Sequence, residues 1–548
     1  MKKRIYILLI SLCAVFSAQG AVIKTDVCIY GEGASGVMAA IQAARLGKKT
    51  VLVSKNSHVG GMATSGLTAT DINRQDQVGG LAAEFYGRIW DHYIKPESWR
   101  NQTRDEFMVS TLKRTFSGKN DERQIQWVYE SGVAEKIMKD MLEEAGVKVL
   151  YNAPLDLENG ATVKSGKIIR IHLLDGTDVK AKMYLDCSYE GDLMAAAGVS
   201  YIIGRESVDQ YGEDMAGIRK FKFIPTSPYL NGKDGELIPY VAPELYGEVG
   251  SADGRTQAYC YRVTLTDDPE NMIPIEKPEN YNASLYEIVI RRFQMEENLE
   301  LKNIITFTPM PNRKTDTNHL DFFGASFDYA AGDYAIRARM EQEHKDYAVG
   351  MLWCLGHDER VPEHIRTEML RWGWPKDEFV ANGGFPYQIY VREARRMIGE
   401  KVMTQHHVQK TDRTPVENSV GIGTYMMDCH FVSYVAGDGG VIVEGGIFTS
   451  TKPYAIDYYS LTPKREECVN LLVPVCLSAS HVAYTTIRME PTYMILGQSA
   501  AVAAVHAMDA KCAVQDIDYP KLRTKLEELG QFLTPSSKKV KHTTKVNR

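Results

Sequence analysis

A short apolar strand, a glycine-rich turn and an alanine-rich helix follow one another without a linker near the start of the chain, and this unit constrains the fold more than any other feature. Thr25-Asp26-Val27-Cys28-Ile29-Tyr30 reads as the strand, Gly31-Glu32-Gly33-Ala34-Ser35-Gly36 as the turn, and Val37 to Leu46 as the helix, which Gly47 ends. Thr50-Val51-Leu52-Val53 is a second buried strand, so the pieces close a βαβ unit of about 30 residues. Two strands joined through a helix run the same way, which starts a parallel sheet.

The pattern recurs downstream. Apolar Val133, Ile137, Met141 and Leu142 at helical spacing lead through Gly146 into Val147-Lys148-Val149-Leu150, a third strand. Between Thr162 and Leu185, strands alternate with the turns Ser165-Gly166 and Asp175-Gly176, as in a small antiparallel meander laid over the sheet, and Met183-Tyr184-Leu185-Asp186 is a further apolar strand. From about Gly204 to Gly440 the chain turns to aromatic, proline and asparagine residues, irregular strands and amphipathic helices around 334–355 and 362–372. After Gly446, Leu471 to Val475 reads as a last buried strand and Met494 to Met508 as an alanine-rich helix.

With 548 residues, 44% of them hydrophobic, the chain can bury a core for two or three domains. The expected fold is α/β, a Rossmann-like doubly wound parallel sheet in two parts, residues 21–203 and 441–515, with an α+β substrate domain inserted at 204–440. A C-terminal helix and basic tail occupy 516–548, and disorder is expected beyond Pro535.

The turn carries the first chemistry. Gly31 permits the tight bend, Gly33 lets the backbone approach a pyrophosphate, and Gly36 lets helix and strand pack closely, while Ala34 and Ser35 open a helix whose N–H groups face an anion. NAD and FAD both use such a turn. FAD is favoured by a second glycine loop, His58-Val59-Gly60-Gly61-Met62-Ala63-Thr64, by Leu185-Asp186-Cys187-Ser188-Tyr189-Glu190-Gly191-Asp192, and by Gly497-Gln498-Ser499, read as the turn of a closing strand–loop–helix. The expected contacts are therefore Gly31, Gly33, Ala34, Ser35, Gly36, Gly60, Gly61, Met62, Asp186, Gly191, Asp192, Gly497 and Gln498 of an FAD-binding domain. Ser54 stands where a carboxylate ordinarily clasps the ribose hydroxyls, so its hydroxyl is expected to bind the ribose more weakly and FAD affinity to be lowered. Gly421-Ile422-Gly423 lacks the third glycine of a second such turn, which argues against a separate NAD(P)H domain.

With these segments, Pro386 to Met397, and the stretch from Asn470-Leu471-Leu472-Val473-Pro474 through Ser480-His481 and Arg488-Met489-Glu490-Pro491 to Gly497-Gln498-Ser499, the chain resembles the bacterial FAD-dependent oxidoreductases of the glutathione-reductase-like and fumarate-reductase-like group. The resemblance covers almost the whole of the chain after residue 20. It implies a flavin held between the Rossmann-like domain and the insert, exchanging hydride with a small polar molecule; a sugar or sugar-derived alcohol is suggested by the family association alone. Some members are labelled xanthan lyase or heterodisulfide reductase-like, and both labels conflict with this chain, the latter because cysteine clusters for iron–sulfur centres are absent from its sequence. Two alternatives stay open: a flavin-dependent reductase of an unsaturated acid, and a carbohydrate-binding or lyase protein with only a structural FAD.

Flavin chemistry asks for a proton donor or acceptor near the substrate and positive charge near the pyrimidine end of the ring. Arg488, Glu490, His481 and Arg392 are the candidates. Arg488 and Glu490 either face the flavin or form a structural ion pair. His481 titrates in the right range, although a lone histidine is more often structural. Arg392, Arg395 and Arg396 are read on one helical stretch, where they either clamp substrate or pair with acids across the domain junction. Asp428 and His430 alternate along a strand and so share one face.

Lys2-Lys3-Arg4, the apolar run Ile5 to Phe16 and Ala18-Gln19-Gly20 form a signal-peptide pattern over residues 1–20, cleaved after Gly20, which implies export to the periplasm or beyond. Losing three basic residues and no acid moves the net charge from −6 to −9, which suits neither nucleic acid nor anionic membrane. Cys28, Cys187, Cys260, Cys354, Cys429, Cys468, Cys476 and Cys512 remain, without a CxxC pair, so no metal site is expected and Cys28 and Cys187 read as buried thiols. The expected partners are a small-molecule substrate and an external electron acceptor, oxygen, a quinone or a small carrier.

Overall fold

The computed structural model describes residues 20–111, 122–296, 298–542, 544–546 and 548. The leader-like segment lies outside them. Five strands form one all-parallel sheet: β1 (Val27–Tyr30), β2 (Thr50–Val53), β3 (Lys148–Leu150), β4 (Met183–Asp186) and β5 (Leu471–Leu472). Their spatial order is β5-β4-β1-β2-β3. This is the doubly wound order, in which the chain runs outward from β1 in one direction and then returns to build the other half. Val27, Cys28, Ile29, Leu52 and Val53 are fully buried, as parallel strands covered on both faces must be.

Helix α1 (Ala34–Arg45) crosses from β1 to β2, and α2 (Ser131–Glu144) leads into β3. Gly47, at φ 78°, takes the left-handed conformation that ends α1. The meander is present as strands Ala161–Lys164, Lys167–His172 and Asp178–Lys180, joined in parallel by Val22–Lys24 at its edge. The region between β4 and β5 holds a three-stranded antiparallel sheet (Val263–Thr266, Thr306–Met310, Lys314–Asn318), a four-stranded sheet and the long helix α3 (Tyr334–His357). Two helices close the chain's return: α4 (His481–Ile487) and α5 (Glu490–Ala510).

Four expectations need correction. Met427–Gly437 and Gly440–Thr449 form one antiparallel hairpin, so the edge placed after residue 440 falls at its turn and the second arm belongs with the insert. Arg395–Met397 is a strand paired with Tyr201–Ile203, not part of a helix, and Arg392 precedes it in an extended segment. Gly497-Gln498-Ser499 lie mid-way along α5 rather than at a turn. Described residues beyond Pro535 bond to the rest of the chain: the Ser536 carbonyl accepts from Arg74 and Gln77, and Val540 N–H donates to Asp76. One apolar core runs through the parallel sheet and the insert alike. Helix α5 is buried all round from Glu490 to Val505, which explains why its sequence is apolar on every face.

Candidate functional site

The turn after β1 forms as its glycines predict. Gly31, at φ 106°, adopts a conformation that L side chains rarely take, and a Cβ on Gly36 would collide with the Gly31 carbonyl oxygen, so the turn can close only with glycine at both positions. Gly33 caps α1, and Ala34, Ser35 and Gly36 are its first helical residues. The second glycine loop lies directly against it: Gly33 bridges Gly60, whose N–H donates to the Glu32 carbonyl at 2.7 Å. Gly60, Gly61 and Met62 are thus brought to the turn.

This cradle fits a dinucleotide. The N–H groups of the first turn of α1 supply donors for a pyrophosphate. Ser35 Oγ is buried without an oxygen or nitrogen partner, beside the Cys187 thiol. Tyr189 connects the cradle to α5: its hydroxyl accepts from Met62 N–H at 3.0 Å and donates to Glu490 Oε1 at 2.7 Å. Its ring lies against Gly33 and Gly61. Glu490 opens α5, buried and without a cation; burial pushes its carboxyl up to about 8, and Oε2 has no partner. At neutral pH it is a protonated group, able to donate or accept at the head of a helix.

Other expected contacts serve the scaffold. Ser54 Oγ donates to the carbonyl of Asn56 at 2.7 Å and is fully buried. Asp186 accepts from the N–H groups of Ser188 and Met194 and ties down the loop after β4. Gly191 caps the short helix that begins at Asp192, and Asp192 pairs with Arg337 at 2.7 Å and Arg395 at 2.9 Å. A Cβ on Gly497 would strike the Ser35 carbonyl, so this glycine lets α5 cross α1 closely, and Gln498 bridges Gln42, Leu81 N–H and Gln531.

A second polar centre begins where α4 passes into α5. Arg488 donates to the Tyr390 hydroxyl at 2.9 Å and to the Asp428 carbonyl at 2.5 Å. Arg392 pairs with Asp321 at 2.7 Å, and Asp321 in turn holds His430 Nδ1 at 2.7 Å. His430 Nε2 lies 3.7 Å from Asp428. Arg262 pairs with Asp316 at 2.6 Å, and the Tyr425 hydroxyl donates to Asp71 at 3.2 Å. Burial opposes the charge on Asp428, but His430, Arg488 and Arg392 hold its carboxyl down at about 2; Asp321 is likewise held well below the usual range by Arg392 and His430. Burial raises Asp71 instead. The cluster reaches solvent at His319, which is exposed, and through half-buried Asp71, Tyr425, Asp428 and His430.

Asp428 and His430 therefore share a face, as their alternation implies. His481 does not join them. It is buried against Glu393, with Nδ1 2.9 Å from that carboxylate; burial opposes its charge, but Glu393 holds it protonated up to about 10. Arg396 pairs with Glu206 and Glu393 in the same buried network. Glu32 and Tyr189 lie within segments that the sequence marks, without being singled out there; Arg262, His319 and Asp321 are not marked at all, and Arg262 and Asp321 pair with residues distant in the chain, Asp316, Arg392 and His430.

A family model for FAD dependent oxidoreductases matches residues 26–526. No curated protein matches the chain. Among solved structures, a geranylgeranyl bacteriochlorophyll reductase-like protein from Thermoplasma acidophilum is similar at 12% identity, over 93% of this chain and 83% of that one, with a TM-score of 0.33. L-proline dehydrogenase from P. horikoshii is similar at 16% identity over 34% of this chain and 59% of that one, with a TM-score of 0.23. OxyS anhydrotetracycline hydroxylase from Streptomyces rimosus is similar at 13% identity over 34% and 36%, with a TM-score of 0.24. The chain thus spans less than two thirds of the length of the latter two. With the family match running from the first strand to the far side of α5, the chain belongs to the FAD dependent oxidoreductase family.

Proposed function

We propose that this protein is an FAD-dependent oxidoreductase that oxidises a neutral, polyhydroxylated molecule, a sugar or sugar-derived alcohol. The observation that carries the reading is the charge balance of the polar centre. Arg262, Arg392 and Arg488 each already face an aspartate, Asp316, Asp321 and Asp428 respectively. An anionic substrate asks for uncompensated cations; a polyol asks for alternating donors and acceptors, which this arrangement offers.

FAD, when bound, supplies the acceptor for the two electrons and the hydrogen that leave the substrate carbon. His430 is the group placed to take the hydroxyl proton on Nε2, since Asp321 engages Nδ1 and fixes the ring. Asp428 stabilises the imidazolium that results. The substrate loses one C–H and one O–H hydrogen and becomes a carbonyl, and an external acceptor, oxygen, a quinone or a small carrier, completes the turnover. The leader-like pattern of residues 1–20 supports export of this chemistry to the periplasm or beyond; N-terminal sequencing of exported protein is expected to begin at Ala21.

Anaerobic mixing of the FAD-loaded protein with sugars, polyols and organic acids tests the reading. Flavin absorbance is expected to bleach with members of the first two classes. If none of them bleaches it while an unsaturated acid reoxidises the reduced protein, the enzyme runs as a reductase and the proposal fails.

A further inference from the structure

The missing ribose acid has a counterpart elsewhere in the structure. Ser54 directly follows β2, where a carboxylate ordinarily meets the adenosine ribose, yet its hydroxyl is spent within its own loop on the carbonyls of Asn56 and His58. One turn away, Glu32 lies between the first two glycines of the phosphate turn, 6% exposed. Its side chain reaches across to the loop after β2: Oε1 accepts from Asn56 Nδ2 at 2.6 Å, and Oε2 from Lys55 N–H at 3.3 Å. The carboxylate therefore sits against the residues immediately following Ser54. It also borders a narrow cavity lined by Asn56, His58, Gly61 and Tyr387.

A carboxylate offers about four acceptor positions, and these two donors use two of them. Burial raises the Glu32 carboxyl above the ordinary value, and Lys55, whose ammonium pairs with Glu190 at 2.8 Å, opposes that shift with positive charge beside it. Nothing about the structure of the turn calls for a carboxylate between its glycines, since the residue's backbone already serves the loop through its carbonyl bond to Gly60 N–H.

We infer that Glu32 supplies the carboxylate that clasps the adenosine ribose of FAD, in place of an acid at position 54. The acid then stands in the phosphate turn rather than at the end of the second strand, and Asn56 and the Lys55 amide hold it against the loop that follows Ser54. The lowered FAD affinity expected from Ser54 is then offset. The inference rests on FAD being the cofactor, and it is separable from the proposed substrate chemistry because it is read by binding alone.

The test is flavin titration of the deflavinated full-length protein, followed by fluorescence quenching, with FAD, FAD lacking the 2′-hydroxyl of its adenosine ribose, and FMN, which lacks the adenosine altogether. Wild-type protein is expected to bind FAD about 10- to 100-fold more tightly than the 2′-deoxy analogue, the size of a hydrogen bond to a charged group. Glu32→Gln is expected to lose most of that preference and leave FMN affinity unchanged, and Glu32→Gln combined with Ser54→Glu to restore it. Equal wild-type affinity for FAD and its 2′-deoxy analogue overturns the inference without needing any variant to fold. Unchanged FAD affinity in Glu32→Gln overturns it as well. Wild-type protein that binds neither dinucleotide overturns the cofactor assignment and the inference with it.

Discussion

Two residues near the junction of α4 and α5 are suited to different work on a proton. His430 is useful only if its outer nitrogen can accept a proton, and Asp321 on the inner nitrogen makes that nitrogen the acceptor. His430→Gln is expected to lower the rate of flavin reduction by about 10²- to 10⁴-fold with flavin content unchanged, and Asp321→Asn to lower it less; stopped-flow bleaching measures both. A variant that reduces as fast as wild type removes His430 from the chemistry. Glu490 is held neutral instead. Its carboxyl is raised to about 8 by burial against an ordinary 4.5, so between those values the folded chain keeps a proton that the unfolded chain releases. Its contribution to stability is complete below about pH 4.5 and is lost as pH rises toward 8. Glu490→Gln, which mimics the protonated form, is therefore expected to gain on wild type as pH rises from 6 to 8.5 in urea unfolding of the apoprotein. A gap between the two that stays constant over this range counts against a neutral Glu490.

At the scale of elements, the contact between α1 and α5 sets the geometry of the cofactor turn, because Gly497 abuts the first turn of α1 at Ser35. Gly497→Ala drives a methyl group into a backbone carbonyl that cannot swing aside, so the helices must separate. A loss of about 1–3 kcal/mol is expected, with reduced flavin content, whereas Gly254→Ala, at a position with open space around it, is expected to stay within about 0.5 kcal/mol. Equal melting shifts for the two would show that α5 is free to move. The sequence makes α1 and the sheet legible because apolar strands, a glycine turn and a capping glycine are local signals. Gly497 misleads for the same reason: a glycine that permits a helix crossing and one that forms a turn look alike until the partner helix is known. The Arg392–Arg396 stretch misleads through its i, i+4 spacing, which is compatible with a helix. Here the arginines are fixed instead by Asp321, Asp192 and Glu206, recruited from both parts of the chain, and those pairings override local preference. His430 was within reach of a period-2 reading, but its partner Asp321 lies 109 residues away and carries no local mark.

Across the whole molecule, the Rossmann-like part and the insert are joined by buried ion pairs as well as by a continuous apolar core. Asp192 receives both guanidinium nitrogens of Arg337, at 2.7 and 2.8 Å, and Arg395 at 2.9 Å. Charges withdrawn from water in this way add little beyond a well-packed apolar contact, but removing one partner strands the others. Asp192→Asn leaves two buried arginines facing an amide, and a loss of about 3–5 kcal/mol is expected. The pH dependence runs opposite to that of Glu490. Burial opposes the Asp192 charge, yet the bond and charge of Arg337, with Arg395 and Lys55, hold its carboxyl below the ordinary 3.8. Its stabilising contribution is therefore complete above pH 3.8 and is lost as pH falls through the depressed folded value. Chemical denaturation at pH 7, 5 and 3 should show wild type well above Asp192→Asn at the first two and the gap narrowing at the third. Because the apolar core crosses the junction, the variant is expected to lower one cooperative transition rather than release either part on its own. A gap that persists undiminished at pH 3, or two separated transitions in the variant, would mean that the domain junction is held by something other than this pairing.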